Sequence, residues 1–413
     1  MAMTSRERVR AALNFQEPDR VPVDCSGMRS TGISAVAYGK LKRALGLDNE
    51  PPHVYDVTQM LAEIEEPVRQ RFGFDIVPLE PPRLTWQSIG AYGTWKPQTF
   101  WDGSPLAFPA DLPLDTSAEE GWYILNQAGQ RVGHMPRGGN YFDSVPNNTL
   151  TFSDAMPPLK EMKFDRTVPD EDLTWLAARA KYLYEETPYA MLGWGYGYGF
   201  SGGLPGIGWE DWMCLLMTEP AYCSDGLALA AEAAVERMKL VDQAVGPYAD
   251  AWGIAADDMG TQRGEYVNPE VLIDVVMPHY KTLCQWFRQH SRMKTFLHTC
   301  GSIYHLIDPL IDAGLDCVNP VQTSATNMDP VRLKEEFGGR IVFWGGGADT
   351  QWVLGNGTTE EIDAHVRERI RIFAPGGGFI FTPVHNVQAN VPPENIIACY
   401  DAVKKWGDYP INL

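Results

Sequence analysis

From residue 189 to the C-terminus, short apolar runs alternate with amphipathic stretches, and this alternation limits the fold more than any other feature of the chain. The runs at 189–194, 251–256, 293–297, 315–319, 341–344 and 379–382 read as strands. The stretches between them carry helix-start signals, among them Asn268-Pro269-Glu270, Thr358-x-x-Glu361 and Pro392-Pro393-Glu394. After Asn268, the apolar residues Val271, Leu272, Val275, Val276, Leu283 and Phe287 fall on one helical stripe. Strands that alternate with helices form parallel sheets. Two earlier runs, 21–25 and 74–79, raise the strand count to eight. Eight such units predict an α/β fold, a (β/α)8 TIM barrel.

One stretch breaks the rhythm. Residues 84–165 are rich in Trp, Tyr, Pro and Gly, with a hairpin pattern over 122–132 that turns at Asn126-Gln127-Ala128-Gly129. A β-rich insertion between the second and third barrel strands is expected there, placed over the barrel mouth or elaborating the surface. At the N-terminus, Thr4-Ser5-Arg6-Glu7 is a capping box that opens a short helix.

Composition removes several classes of function. A net charge of -19 argues against nucleic acid or anionic membrane as partner, since both demand a basic face. No run approaches the roughly 18 apolar residues of a membrane span. The first residues, with Arg6, Glu7, Arg8 and Arg10, do not make a signal peptide. Seven cysteines without framework spacing point to a reducing compartment, so a cytoplasmic protein is expected. A homodimer stays open.

A barrel carries its chemistry at the C-terminal ends of its strands. There the sequence supplies Asp75, Trp194 and Tyr196, Asp257 and Asp258, His298 and Cys300, Asn319 and Gln322, and His385 with Asn386 and Gln388. Helix caps account for some of these polar residues but not for His385, Gln322 or the adjacent acids. In His298-Thr299-Cys300-Gly301 an imidazole and a thiol leave a strand end on the same side, because strand side chains repeat every second residue. That pair suits zinc, and it also fits two buried core residues. Trp194, Tyr196, Tyr198, Phe200, Trp209 and Trp212 are numerous enough to line a pocket, although Trp209 and Trp212 at i, i+3 read better as a packed helix face. Gly345-Gly346-Gly347 and Gly376-Gly377-Gly378 lack dinucleotide-loop spacing.

Several stretches together resemble the uroporphyrinogen decarboxylase superfamily. They are Ser5-Arg6-Glu7-Arg8-Val9 and Pro18-Asp19-Arg20-Val21-Pro22-Val23, then Asn268-Pro269-Glu270 with Met277-Pro278, Gly314-x-Asp316 and Gly357-Thr358-x-Glu360-Glu361-Ile362, and at the end His385-x8-Glu394-Asn395-Ile396. The resemblance spans nearly the whole chain apart from the insertion and implies a (β/α)8 barrel. It also implies one of two chemistries: cofactor-independent decarboxylation of a porphyrinogen, or zinc-dependent methyl transfer with a corrinoid (cobalamin) protein.

The decarboxylases hold their polycarboxylate substrate through a Met-Arg-Gln-Ala-Gly-Arg-Tyr motif. Here the matching stretch is Gly27-Met28-Arg29-Ser30-Thr31-Gly32-Ile33, which keeps Arg29 for substrate and lacks the second arginine. Asp75 stands where that branch has an acid at the pyrrole nitrogens. The methyltransferases carry His-x-Cys after the fifth strand and Cys after the eighth; His298, Cys300 and His385 occupy those positions, with His385 replacing the second thiolate. The resemblance therefore implies zinc held by these three residues, Asp257 or Asp258 as fourth ligand or acid, and Gln322, Asn319, Trp194 and Tyr196 around the substrate. Two imidazoles and one thiolate leave zinc a stronger Lewis acid than one imidazole and two thiolates would. The reaction this favours is methyl transfer between a small methylated donor or acceptor, an O-methyl ether such as a methoxylated aromatic, and a corrinoid-binding partner. A decarboxylase, or a barrel that binds ligand or metal without turnover, are the other two readings.

Overall fold

A computed structural model describes residues 3–82, 93–126, 128–145 and 156–413. Its main sheet holds seven parallel strands, each bonded to the next: Ile76–Leu79, Ala190–Trp194, Ala251–Ala256, Lys294–His298, Cys317–Asn319, Val342–Trp344 and Phe379–Ile380. Segment 21–25 bonds to both ends of this sheet. The Asp75 N–H donates to the Val23 carbonyl at 2.8 Å, the Asp24 N–H to the Phe381 carbonyl at 2.8 Å, and the Phe381 N–H to the Pro22 carbonyl at 2.9 Å. The sheet thus closes on itself, and 21–25 is the first of eight staves, with the strands above as the second to the eighth. Pro22 has no N–H to give, and the regular pairing of this stave with the eighth is the single bridge of Val23 to Phe381.

Inward-facing residues fill the barrel from the second to the eighth stave: Ile76, Leu192, Ala251, Phe296, Cys317, Val342 and Ile380 share one buried cluster. Helix Ser5–Leu13 joins that cluster with Val9, Ala12 and Leu13, and its expected capping box is formed between Thr4 and Glu7. The outer helices, among them Pro220–Val245, Met277–His290 and Thr359–Phe373, bury their apolar stripes in a larger cluster around the sheet. No described helix is long and apolar enough to cross a membrane.

Asp75 has a different role from the catalytic one expected of it. It precedes the second stave by one residue, at the end of the barrel opposite the strand C-termini. Its buried carboxylate accepts from Arg8 Nη1 at 2.7 Å, from Arg20 Nη1 and Nη2 at 2.8 and 2.9 Å, and from the Val23 N–H at 2.9 Å. This clamp joins the N-terminal helix to the first two staves.

The described strands within 84–165 are antiparallel, as expected of a β-rich insertion. Trp95–Thr99 pairs with Pro105–Pro109, and a four-stranded sheet runs Leu114–Asp115, Gly121–Leu125, Arg131–Pro136 and Asp143–Ser144. Residues 83–92, Gln127 and 146–155, which include part of the expected turn and both flanks, lie outside the described residues. Asn126 Oδ1 shapes the turn by accepting the Ala128 and Gln130 N–H groups at 3.0 and 2.9 Å. Phe100, Trp101, Phe108 and Trp122 pack on one another and join the insertion to the larger cluster around the sheet. Replacing Asp75 with alanine takes the carboxylate partner from the half-buried Arg20 and leaves the buried Arg8 with Asp19 alone, and a loss of about 3 kcal/mol is expected. Denaturant unfolding checks this; a midpoint unchanged from wild type would show that the clamp does not close the barrel.

Candidate metal centre

His298 is the last residue of the fifth stave and pairs across the sheet with Ala256 on one side and Asn319 on the other. Its ring is buried, and Nδ1 lies 2.7 Å from Asn319 Oδ1. The Asn319 amide nitrogen in turn donates to the Trp344 carbonyl at 2.8 Å, which fixes the amide orientation. An amide oxygen only accepts, so Nδ1 carries the proton and Nε2 is left as a free lone pair. That lone pair faces the Cys300 sulfur at 3.4 Å.

The turn that delivers Cys300 depends on glycine. Gly301 has φ +89°, and a Cβ there would lie 2.2 Å from the Gly260 carbonyl carbon, so the two loops touch backbone to backbone. The turn is fastened on both sides. Cys300 N–H donates to Asp258 Oδ1 at 2.9 Å, Gly301 N–H to Gln322 Oε1 at 2.7 Å, and Thr299 N–H to the Asn319 carbonyl at 2.6 Å.

His385 arrives from the loop after the eighth stave, its ring centroid 5.7 Å from that of His298 and nearly edge-on to it. The ligand atoms of His298, Cys300 and His385 all lie within 4.8 Å of one another. Burial lowers the pKa of His298, and burial with His298 as neighbour pushes that of His385 down to about 4. Burial and the nearby Asp258 push the Cys300 thiol up. Both imidazoles are therefore held neutral, with lone pairs available, and the thiol gains most from a cation placed between them.

The other expected site residues divide. Asp258 belongs to the centre: its Oδ1 lies 3.7 Å from His298 Nε2, and the side chain is exposed at the mouth. Asp257 points the other way. Its buried carboxylate accepts from the Phe200 N–H at 2.9 Å, the Ser201 N–H at 2.9 Å, the Ser201 hydroxyl and the Tyr280 hydroxyl, so it anchors a loop to the helix layer and has no room for a metal or substrate. Asn319 and Gln322, expected to bond substrate, instead spend their amides on His298 and Gly301. Trp194 lies half-buried against Gly253, where a Cβ would meet its ring at 1.8 Å. Tyr196, at φ +62°, turns its hydroxyl to Asp172 on the neighbouring helix, away from the centre. Trp194 and Tyr196 also line a shallow cleft of about 190 Å³ beside the ends of the third and fourth staves. Of the expected packed pair, Trp212 is buried and Trp209 is exposed.

Arg29 is engaged rather than free, with Nη1 on Asp56 at 2.9 Å and Nη2 on Glu80 at 3.0 Å. Glu80, directly after the second stave, holds the strand-end position at which Asp75 was expected. The expected run 74–79 and the observed strand end at the same Leu79, and the resemblance drew attention to Asp75 near its start and not to the acid after its end. The cue that was available is the four-residue run Ile76-Val77-Pro78-Leu79 ending in an acid.

The family model "Uroporphyrinogen decarboxylase (URO-D)" matches residues 202–406, a span that contains His298, Cys300 and His385. Over that span, just under half of the chain, the sequence is similar to this family; the N-terminal stretches that resemble it lie outside the matched span. Among solved structures, a methyltransferase from Methanosarcina mazei shares the fold with TM-score 0.57 and 16% sequence identity, covering 98% of this chain and 99% of that one. The GH53 catalytic domain of Ignisphaera aggregans aligns over 93% of this chain and 96% of its own, at 12% identity and TM-score 0.35. No curated protein matches the chain.

Dialysed against zinc, the wild-type protein is expected to retain one equivalent, and His298→Ala, Cys300→Ala and His385→Ala to lose it. Asn319→Ala, which frees the His298 ring to turn, is expected to weaken zinc binding by about 10–100-fold. Elemental analysis and competition with a chromogenic chelator check both. Zinc retained in full by all three ligand variants would place the metal elsewhere.

Proposed function

We propose that this protein is the methyl-transferring component of a corrinoid-dependent system, with zinc at His298, Cys300 and His385. The observation that carries this reading is the convergence of three neutralisable donors within 4.8 Å, one of them oriented by Asn319. Zinc bonds of about 2.0–2.3 Å place tetrahedral ligand atoms about 3.5 Å apart, so the three need to draw in by roughly an ångström at most. Two imidazoles and one thiolate leave a fourth position open, as a catalytic zinc requires.

A zinc ion there supplies a Lewis acid for an oxygen whose bond to a methyl group is breaking. The protein does the rest. Methyl transfer would break the C–O bond of the ether with its electron pair left on oxygen, while the corrinoid partner's reduced cobalt would supply the electron pair of the new bond to the methyl carbon. Asp258, exposed beside His298 Nε2, is placed to pass a proton to the departing oxygen, and Trp194 offers an apolar surface at the mouth for the organic part of the donor. The buried His298, Asn319 and Thr299 keep water from the inner side of the centre.

The family name itself favours decarboxylation, and one observation weighs against it. A substrate with many carboxylates needs unpaired cations, and Arg29, the position that branch would use, is held by both Asp56 and Glu80. Titrating the protein into a corrinoid protein reduced to cobalt(I), with a panel of methoxylated aromatics, tests the proposal: one donor is expected to consume the cobalt(I) absorption. His385→Ala should abolish the change, and Asp258→Asn should keep its zinc and slow the change by roughly 100-fold or more. Metal-free wild-type protein that decarboxylates a porphyrinogen would overturn the reading.

A further inference from the structure

The loop that carries His385 is not held by the barrel alone. On the barrel side the Val384 N–H donates to the Ala348 carbonyl at 2.8 Å. Beyond the ligand, every anchor comes from outside the eight staves. Asn386 Oδ1 accepts the Gly32 N–H at 2.7 Å, and Asn386 Nδ2 donates to Gln59 Oε1 at 2.8 Å. The Val387 N–H donates to the Gly32 carbonyl at 3.0 Å. Gln388 folds back so that its Nε2 donates to the Asn386 carbonyl at 2.9 Å, and its Oε1 accepts the hydroxyl of Tyr141.

Tyr141 belongs to the insertion, and the insertion rests on the same strip that holds Asn386. The Phe142 N–H donates to the Thr58 carbonyl at 2.9 Å, next to Gln59. Further along, the Ala107 N–H donates to the Pro52 carbonyl at 2.9 Å, and Trp95 stacks on His53 with ring centroids 4.2 Å apart. Residues 58–59, 141–142 and 386–388 therefore close a ring of hydrogen bonds among three segments distant in sequence. That ring begins one residue after His385.

We propose that the insertion is the outer support of the third metal ligand, with Tyr141 and Gln59 as positioning residues for His385. This rests on the metal reading above, and it assigns the insertion a place at the barrel mouth through a defined contact. A ligand delivered by a loop is only as well placed as the loop, and supporting partners of this kind commonly change metal affinity by about 10–100-fold. Tyr141 is 39% exposed, so removing its hydroxyl leaves the core untouched.

The full chain with Tyr141→Phe and with Gln388→Ala tests this, beside Tyr123→Phe, which removes an insertion hydroxyl whose partner among the described residues is Glu120. In metal-free protein, amide exchange over residues 384–388 is expected to speed up by roughly tenfold in the first two variants and to stay at the wild-type rate in the third. Their zinc dissociation constants should rise by about tenfold, and cobalt(II) bound in place of zinc should show weaker ligand-field absorption. Wild-type exchange rates and cobalt(II) spectra in both Tyr141→Phe and Gln388→Ala would overturn the proposal, as would equal changes in Tyr123→Phe. A wild-type protein that takes up no zinc would instead defeat the metal reading, and the exchange rates alone would then decide whether the insertion supports this loop.

Discussion

The hydrogen bond between His298 Nδ1 and Asn319 Oδ1 is what makes a strand-end imidazole a candidate metal ligand. It crosses from the fifth stave to the sixth along the register that pairs the two residues, and the Trp344 carbonyl on the seventh stave holds the amide in turn. Three parallel strands thus fix the protonation and direction of one imidazole. Because the partner is an amide and not a carboxylate, it sets the tautomer without adding charge, and burial can keep the ring neutral. The rest of the centre follows from that fixed lone pair. Cys300 is turned toward it by a glycine that packs backbone to backbone on Gly260, and His385 approaches it edge-on from the far side of the barrel.

The two ends of the barrel use polar groups in opposite ways. At the N-terminal end, Asp75 and Asp19 neutralise Arg8 and Arg20 and lock the closure. At the C-terminal end, His298 and His385 are desolvated without a counter-charge of their own, and the nearest acid, Asp258, stays at the solvent edge. The His298 Nε2 lone pair has the Cys300 sulfur, a weak partner, at 3.4 Å, and a cation held between them would be the stronger one. The Arg29 pairings with Asp56 and Glu80 leave that guanidinium already compensated, which weighs against a polyanionic substrate in the proposed reading.

Much of this was legible in the sequence. Apolar runs between well-capped amphipathic stretches gave the eight staves, since strands buried on both faces leave a continuous apolar signature and helices leave a periodic one. The His298–Cys300 spacing and the position of His385 marked the centre. What escaped was whatever depends on register or on which end of a strand a residue holds. Asp75 passed for a strand-end acid on its resemblance to a family position, although the expected run and the observed strand both end at Leu79, which puts Asp75 at the opposite end and Glu80 at the mouth. Asp257 and Asp258 were indistinguishable until the strand showed which faces the helices. Asn319 carried no sign that its amide is committed to His298, because pairing between strands is not written in either strand alone. Tyr141 sits in a segment whose periodicity says only that it is β-structure.

X-ray absorption at the zinc edge of the purified wild-type protein bears most directly on the central claim. The account predicts a four-coordinate zinc with one sulfur at about 2.3 Å and otherwise nitrogen or oxygen near 2.0–2.1 Å, with imidazole scattering from two rings. Protein without zinc, or zinc with no sulfur in its shell, would contradict it.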